Sequence, residues 1–101
     1  MKVTHAIEIH EILSVLGDPT RLRILKMLKE GHETCKDIDG YLGIHVTDIT
    51  KSVKVSQPAV SKHLAKLRDI GIVSANRQGQ RTFYRRDESM IALVKAALAE
   101  L

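Results

Sequence analysis

The stretch Ser56-Gln57-Pro58-Ala59-Val60-Ser61-Lys62-His63-Leu64-Ala65-Lys66-Leu67, closed by Gly71, constrains this chain more than any other. Ser56 is a strong N-cap, because its hydroxyl can accept from the free N–H groups of a first helical turn. Pro58 falls near the first helical position, where a missing N–H costs nothing and φ is already suitable. Val60, Leu64 and Leu67 recur at helical spacing and define a buried face. Ser61, Lys62, Ala65 and Lys66 are left on the other side. The sequence therefore predicts a short helix that is apolar behind and small, polar and cationic in front.

Charge is unevenly placed around that helix. The whole chain has 16 Lys and Arg against 12 Asp and Glu, a formal net charge of +4, which alone decides little. Residues 51–86, however, hold nine of the basic side chains and a single acidic one, Asp69. The rest of the chain is mildly negative. Such asymmetry points to a polyanion facing one surface, and a helix of this shape suits entry into a DNA groove.

With 101 residues the chain is read as one domain spanning 1–101, small enough that a homodimer would usefully bury more apolar surface. Aromatic residues make up only 3%, which argues against a stacking platform for single strands. No apolar run approaches the ~20 residues that cross a membrane, and no apolar segment follows Lys2 as a signal peptide would require. The lone cysteine, Cys35, has no internal disulfide partner. These features fit a cytoplasmic location, with no membrane partner.

Residues 4–16 predict a first helix, with Ile9, Ile12, Leu13 and Leu16 at helical spacing and Thr4 as cap. Asp18-Pro19 opens a second helix that turns Leu22, Ile24, Leu25 and Leu28 inward until Gly31. Residues 32–45 read as a short helix or loop. Thr47-Asp48 caps a brief helix to Val53, and Lys54-Val55 turns into the cationic helix, so that residues 47–70 make a helix-turn-helix. Strands at 72–76 and 81–86, joined through residues 77–80 with Gly79 supplying positive φ, form a basic hairpin. Residues 88–99 make a last amphipathic helix through Ile91, Val94 and Leu98. The predicted fold is mainly α with a β-hairpin wing at 72–86, in the order α-α-α-α-β-β-α: a winged helix-turn-helix.

Four segments then carry a resemblance. Leu16-Gly17-Asp18-Pro19-Thr20-Arg21-Leu22-Arg23-Ile24-Leu25, Val55-Ser56-Gln57-Pro58-Ala59-Val60-Ser61-Lys62-His63-Leu64, Leu67-Arg68-Asp69-Ile70-Gly71-Ile72-Val73 and Arg77-Gln78-Gly79-Gln80-Arg81-Thr82-Phe83-Tyr84 occur in order and resemble the ArsR–SmtB family of small prokaryotic repressors. The resemblance covers nearly the whole chain outside residues 32–45. It implies a homodimer built from the first and last helices, through Ile9, Ile12, Leu13, Ile91, Val94 and Leu98. It also implies binding to a two-fold-symmetric double-stranded DNA operator, autoregulatory repression, and release by an inducer.

Carried over by position, Gln57, Ser61 and Lys62 are the base-edge candidates, with Pro58 contributing shape and methylene contact. Gln57 has the fork that reads adenine, and Lys62 can donate to guanine or phosphate. Lys51, Lys54 and Lys66 are phosphate candidates. Arg77 and Arg81, with Arg85 and Arg86, suit phosphate or minor-groove contact from the wing. His63 is expected to pack beside Val60 and Leu67. Where Lys54 stands, related turns often carry Gly, so this turn is expected to be slightly strained or differently shaped.

The inducer is not written in the sequence. Metal-sensing members carry a Cys-x-Cys pair where Val46-Thr47-Asp48 stand here, and others place ligands on the last helix, where residues 87–101 hold no His or Cys. Neither metal site is expected, and no cofactor. The remaining sensor candidates are Cys35, His32 and His45, with Asp37 and Asp39 nearby and His5 and His10 on the first helix; a non-standard metal or thiol-redox sensor there is one alternative. A winged helix for protein or RNA contact is another, although the polar helix front lacks the aromatic or Met anchors that mode uses. No Gly-rich phosphate loop, nucleophile elbow or recognised ligand array is present, so no catalytic residues and no enzyme activity are assigned.

Overall fold

A computed structural model describes residues 8–101. The expected Thr4 cap and the first turn of the opening helix lie outside the described residues, as does His5. Helix α1 spans Ile9–Leu16, and α2 spans Pro19–Cys35. Asp18 caps α2, its Oδ1 accepting from the Thr20 and Arg21 amides at 2.8 and 3.1 Å, and Pro19 opens the helix without an N–H to lose. Those bonds to the charged form hold the Asp18 carboxyl below its usual range.

α2 does not stop at Gly31. That glycine packs instead of breaking the helix: a Cβ there would lie 2.8 Å from the Tyr41 hydroxyl and 2.9 Å from Ile44 Cδ1. Tyr41 thus folds the segment after α2 back onto it. Leu22 does not face inward as expected. It is 51% exposed, whereas Ile24 and Leu28 are buried. Two residues are about 200° apart on a helix, so Leu22 and Ile24 cannot share a face.

Residues 44 and 45 form a strand the sequence did not announce. β1, Ile44–His45, pairs antiparallel with β3, Arg81–Arg86, placing Ile44 opposite Tyr84 and His45 opposite Phe83. His45 then caps α3, Val46–Val53, with Nδ1 accepting from the Thr47 amide at 3.1 Å; the cap is therefore His45, not Thr47. Lys54 follows in the left-handed region at φ +60, the strain expected of a side chain in a turn that favours Gly.

α4 spans Gln57–Asp69, with Ser56 Oγ accepting from the Ala59 amide at 3.3 Å. It ends in a Schellman motif. Gly71, at φ +80, donates to the Arg68 carbonyl at 2.8 Å, and Ile72 donates to the Leu67 carbonyl at 3.1 Å. In the wing, β3 spans Arg81–Arg86 as expected, whereas β2, Val73–Gln78, starts one residue later and runs two residues further toward the tip than expected, with Gln78 opposite Arg81. Only Gly79 and Gln80 connect the strands, and Gly79 takes the positive φ (+62) such a tight connection needs. The sheet order is β1-β3-β2.

α5, Glu88–Ala99, starts from Asp87, whose Oδ1 accepts from the Met90 amide at 2.9 Å and whose own amide donates to the Ile72 carbonyl at 2.8 Å. The core draws on all five helices and the start of β2: Ile12 from α1, Ile24 and Leu28 from α2, Ile49 and Val53 from α3, Val60, Leu64 and Leu67 from α4, Ile72 and Val73, and Val94 from α5, with Ile44 of β1 and Tyr84 of β3 packed against it. Among the described residues no helix is long and apolar enough to cross a membrane.

Candidate nucleic-acid interface

Because Val60, Leu64 and Leu67 are fully buried, α4 can present only one face outward. Side chains four apart on a helix lie in rows. Gln57, Ser61 and Ala65 form one row and Pro58, Lys62 and Lys66 the next, all exposed. Thirteen residues give α4 a length of about 20 Å, a cylinder that the major groove, roughly 12 Å wide, can admit. Lys51 on α3 and Lys54 in the turn are exposed as well. Cations thus flank a front of amide and hydroxyl groups.

At the wing tip, Arg77 and Arg81 are exposed. Arg77 Nε donates to the Gly79 carbonyl at 3.0 Å, which holds the side chain along the turn. Arg85 and Arg86, expected to make the same kind of contact, are used inside the molecule. Arg85 Nη1 donates to the Tyr41 carbonyl at 3.0 Å, with its guanidinium 5.3 Å from the Tyr41 ring centre. Arg86 grips Glu88 with two bonds, from Nε at 2.9 Å and Nη2 at 2.6 Å. That fork, helped by His32 and Lys95, holds the Glu88 carboxyl below its usual range. Burial pushes the Tyr41 phenol up, with Cys35 adding to the effect.

The sensor candidates are not gathered into one site. His45 Nδ1 is occupied as the cap of α3, and its ring meets Phe83 edge-on at 5.4 Å. His32 turns Nδ1 toward Glu88 Oε2 at 4.0 Å. Cys35 is half-buried on the last turn of α2, while Asp37, Asp39 and His10 are exposed. Among the described residues no three His, Cys, Asp or Glu side chains lie close enough to hold a metal ion.

The residues expected at a dimer interface divide in two. Ile12 and Val94 are 2% and 4% exposed and belong to the chain's own core, not to an outer face. Leu13 on α1 and Leu98 on α5 remain open at 44% and 37%, with Ile9 and Ile91 half-buried. α1 and α5 pack against each other, so these side chains belong to neighbouring elements.

One pair escaped the sequence. Arg21 Nε donates to His63 Nδ1 at 3.1 Å, and Arg21 Nη1 donates to the Val15 carbonyl at 2.7 Å. His63 is half-buried, as expected of a packed histidine, but it is also an acceptor for a cation on α2. The two residues are 42 positions apart, and no local pattern joins them.

A helix-turn-helix whose second helix shows a polar, cationic front, followed by a two-stranded wing, defines a winged helix-turn-helix DNA-binding protein. The family described as "Bacterial regulatory protein, arsR family" matches residues 44–75. An uncharacterized HTH-type transcriptional regulator from Methanocaldococcus jannaschii is 40% identical over 74 residues, 73% of this chain and 72% of that one. The transcriptional repressor SdpR of Bacillus subtilis is 32% identical over 75 residues, 74% of this chain and 71% of its own. The crystal structure of an ArsR family transcriptional regulator superimposes with a TM-score of 0.71 at 26% identity, covering 90% of this chain and 82% of that one. The chain belongs to the arsR family of bacterial transcriptional regulators, which are not enzymes.

Proposed function

We propose that the chain is a homodimeric repressor that lays α4 in the major groove of a two-fold-symmetric operator. The observation that carries this reading is the outward front of α4: Gln57, Ser61 and Lys62 are exposed while Val60, Leu64 and Leu67 are fixed in the core. Gln57 and Lys62 read base edges, Ser61 donates or accepts, and Pro58 adds shape. Lys51, Lys54 and Lys66, with Arg77 and Arg81 at the wing, hold phosphates and set the register. The open Leu13 and Leu98 are the dimer contacts, which a second copy covers by two-fold symmetry. Similarity to a repressor favours a negative effect on transcription. Release by an inducer and work in the cytoplasm, where the DNA is, complete the reading.

The test is selection from a randomised duplex pool with the purified protein, followed by binding isotherms at several salt concentrations. A palindromic consensus, with half-sites about one helical turn apart, is expected. The apparent binding constant of the selected duplex should fall by roughly 0.9 log units per log unit of salt for each phosphate contacted. Absence of duplex binding in dilute buffer overturns the proposal.

A further inference from the structure

Among the described residues, Arg21 is the one cation whose side chain bridges three helices. It stands on the first turn of α2, donates through Nη1 to the Val15 carbonyl in the last turn of α1, and donates through Nε to His63 on α4. Its backbone amide is fixed as well, by the Asp18 cap. The guanidinium is planar and its donors diverge at fixed angles. Moving either acceptor therefore strains the bond to the other.

His63 is well placed to make that matter. It follows Lys62 directly and is two residues beyond Ser61, so rotation of α4 that shifts its ring also shifts both side chains on the reading front. An apolar seam of Val60, Leu64 and Leu67 resists separation of α4 from the core, yet it is non-directional and tolerates small sliding. A hydrogen bond has an angular requirement that apolar contact lacks. At its other end the bridge holds α1 two residues beyond the exposed Leu13.

We propose that Arg21 is a positioning residue for DNA reading: through His63 it ties the rotational setting of α4 to the C-terminal turn of α1. This rests on the proposed role of α4 in the major groove. The bond requires His63 Nδ1 to be unprotonated, with the ring N–H on Nε2. In this arrangement α1, which carries part of the proposed dimer face, and α4 are connected by one side chain. Seating a partner against α1 then favours one setting of the base-reading residues.

The experiment compares His63→Leu, His63→Asn, Arg21→Gln and the Arg21→Gln/His63→Leu pair with the wild-type chain. Each is titrated against a duplex selected from a randomised pool by the wild-type protein and against a scrambled duplex of equal length, at a temperature where circular dichroism shows every variant folded. His63→Leu should lower the selected-to-scrambled affinity ratio by about tenfold, the scale of a lost charge-assisted hydrogen bond, with scrambled-duplex affinity within about twofold. Asparagine offers an oxygen near the Nδ1 position and should restore most of the ratio. The double variant should be no worse than the worse single one, the mark of a shared interaction. If the wild-type protein selects no sequence, the reading of α4 falls and takes this inference with it. If it selects one but the ratios of His63→Leu and Arg21→Gln stay at the wild-type value, or the two losses add in full, or asparagine rescues nothing, Arg21 is not a positioning residue while the reading of α4 stands.

Discussion

Gly43 passes so close beneath Tyr84 that a Cβ on it would overlap the Tyr84 carbonyl, and its φ of +121 lies where side chains are strained. This contact lets a two-residue strand, Ile44 and His45, join the edge of the wing. The strand in turn delivers the imidazole that caps α3. A glycine in an unremarkable loop thereby supports the first helix of the helix-turn-helix.

Gly43→Ala should consequently cost about 2–4 kcal/mol of folding stability, combining a backbone clash with left-handed strain. Chemical denaturation followed by circular dichroism measures it. A loss below about 0.5 kcal/mol would mean that β1 shifts without consequence and does not brace α3.

Features written locally were legible in the sequence. The Ser56 cap and the Schellman end at Gly71 depend on residues within one turn of each other, and so does the apolar row Val60, Leu64, Leu67. What was not legible depended on distant partners. Arg77, Arg81, Arg85 and Arg86 look alike in a sequence, but Tyr41 occupies Arg85 and Glu88 occupies Arg86, which leaves the tip pair exposed. β1 is too short for alternation to reveal, and its partner strand lies some forty residues later. Gly31 reads as a helix stop, yet it is a packing site for Tyr41. The resemblance assigns Ile12 and Val94 to a dimer face along with Leu13 and Leu98, but spacing on a helix does not tell a side chain that faces the chain's own core, as Ile12 and Val94 do, from one left open.

Lys54 separates backbone strain from DNA affinity. Its φ of +60 is costly for any side chain with a Cβ, most of all a β-branched one. Lys54→Val should lose about 1–2 kcal/mol of stability, whereas Lys54→Gly should hold or raise it. Both remove one proposed phosphate contact and should flatten the salt dependence of duplex binding by about one unit of slope. Equal stability for the two variants would show that the turn relaxes instead of storing strain.

The proposed reading and anchoring residues should separate on two kinds of duplex. Gln57→Ala and Lys62→Ala should reduce preference for a selected sequence, by about 1–3 kcal/mol where a bidentate contact is lost. Arg81→Ala should weaken selected and scrambled duplexes alike and reduce the salt slope by about one. Unchanged affinity and preference in Gln57→Ala, Ser61→Ala and Lys62→Ala together would remove α4 from the groove.

Leu13 and Leu98 are apolar side chains left open on adjoining helices, and a second copy is the proposed cover. Leu13→Asp or Leu98→Asp would place a charge in a desolvated interface, a cost of several kcal/mol when unpaired. Light scattering should then report monomers whose circular dichroism matches that of the parent. Dimers of undiminished stability would place the interface elsewhere.

Acid should weaken the fold through a small set of carboxylates. Asp87 is held below its usual 3.8, first by the Ser89 hydroxyl and then by the Met90 amide, and Glu88 is lowered by Arg86. A group whose folded pKa is depressed contributes stability above its unfolded pKa, and that contribution is lost as pH falls through the folded value. The contribution is therefore complete at neutral pH and declines as pH drops below about 4. Asp87→Asn isolates one term, because asparagine caps a helix about as well as aspartate but does not titrate. Its stability at neutral pH should stay near that of the parent, and its slope against pH below 4 should be shallower. Asp87→Ala, by contrast, should lose about 1 kcal/mol at neutral pH, since the Met90 amide is then uncapped where α5 begins. If Asp87→Asn follows the parent curve through the acid limb, the α5 cap is not among the groups that make this fold acid-labile.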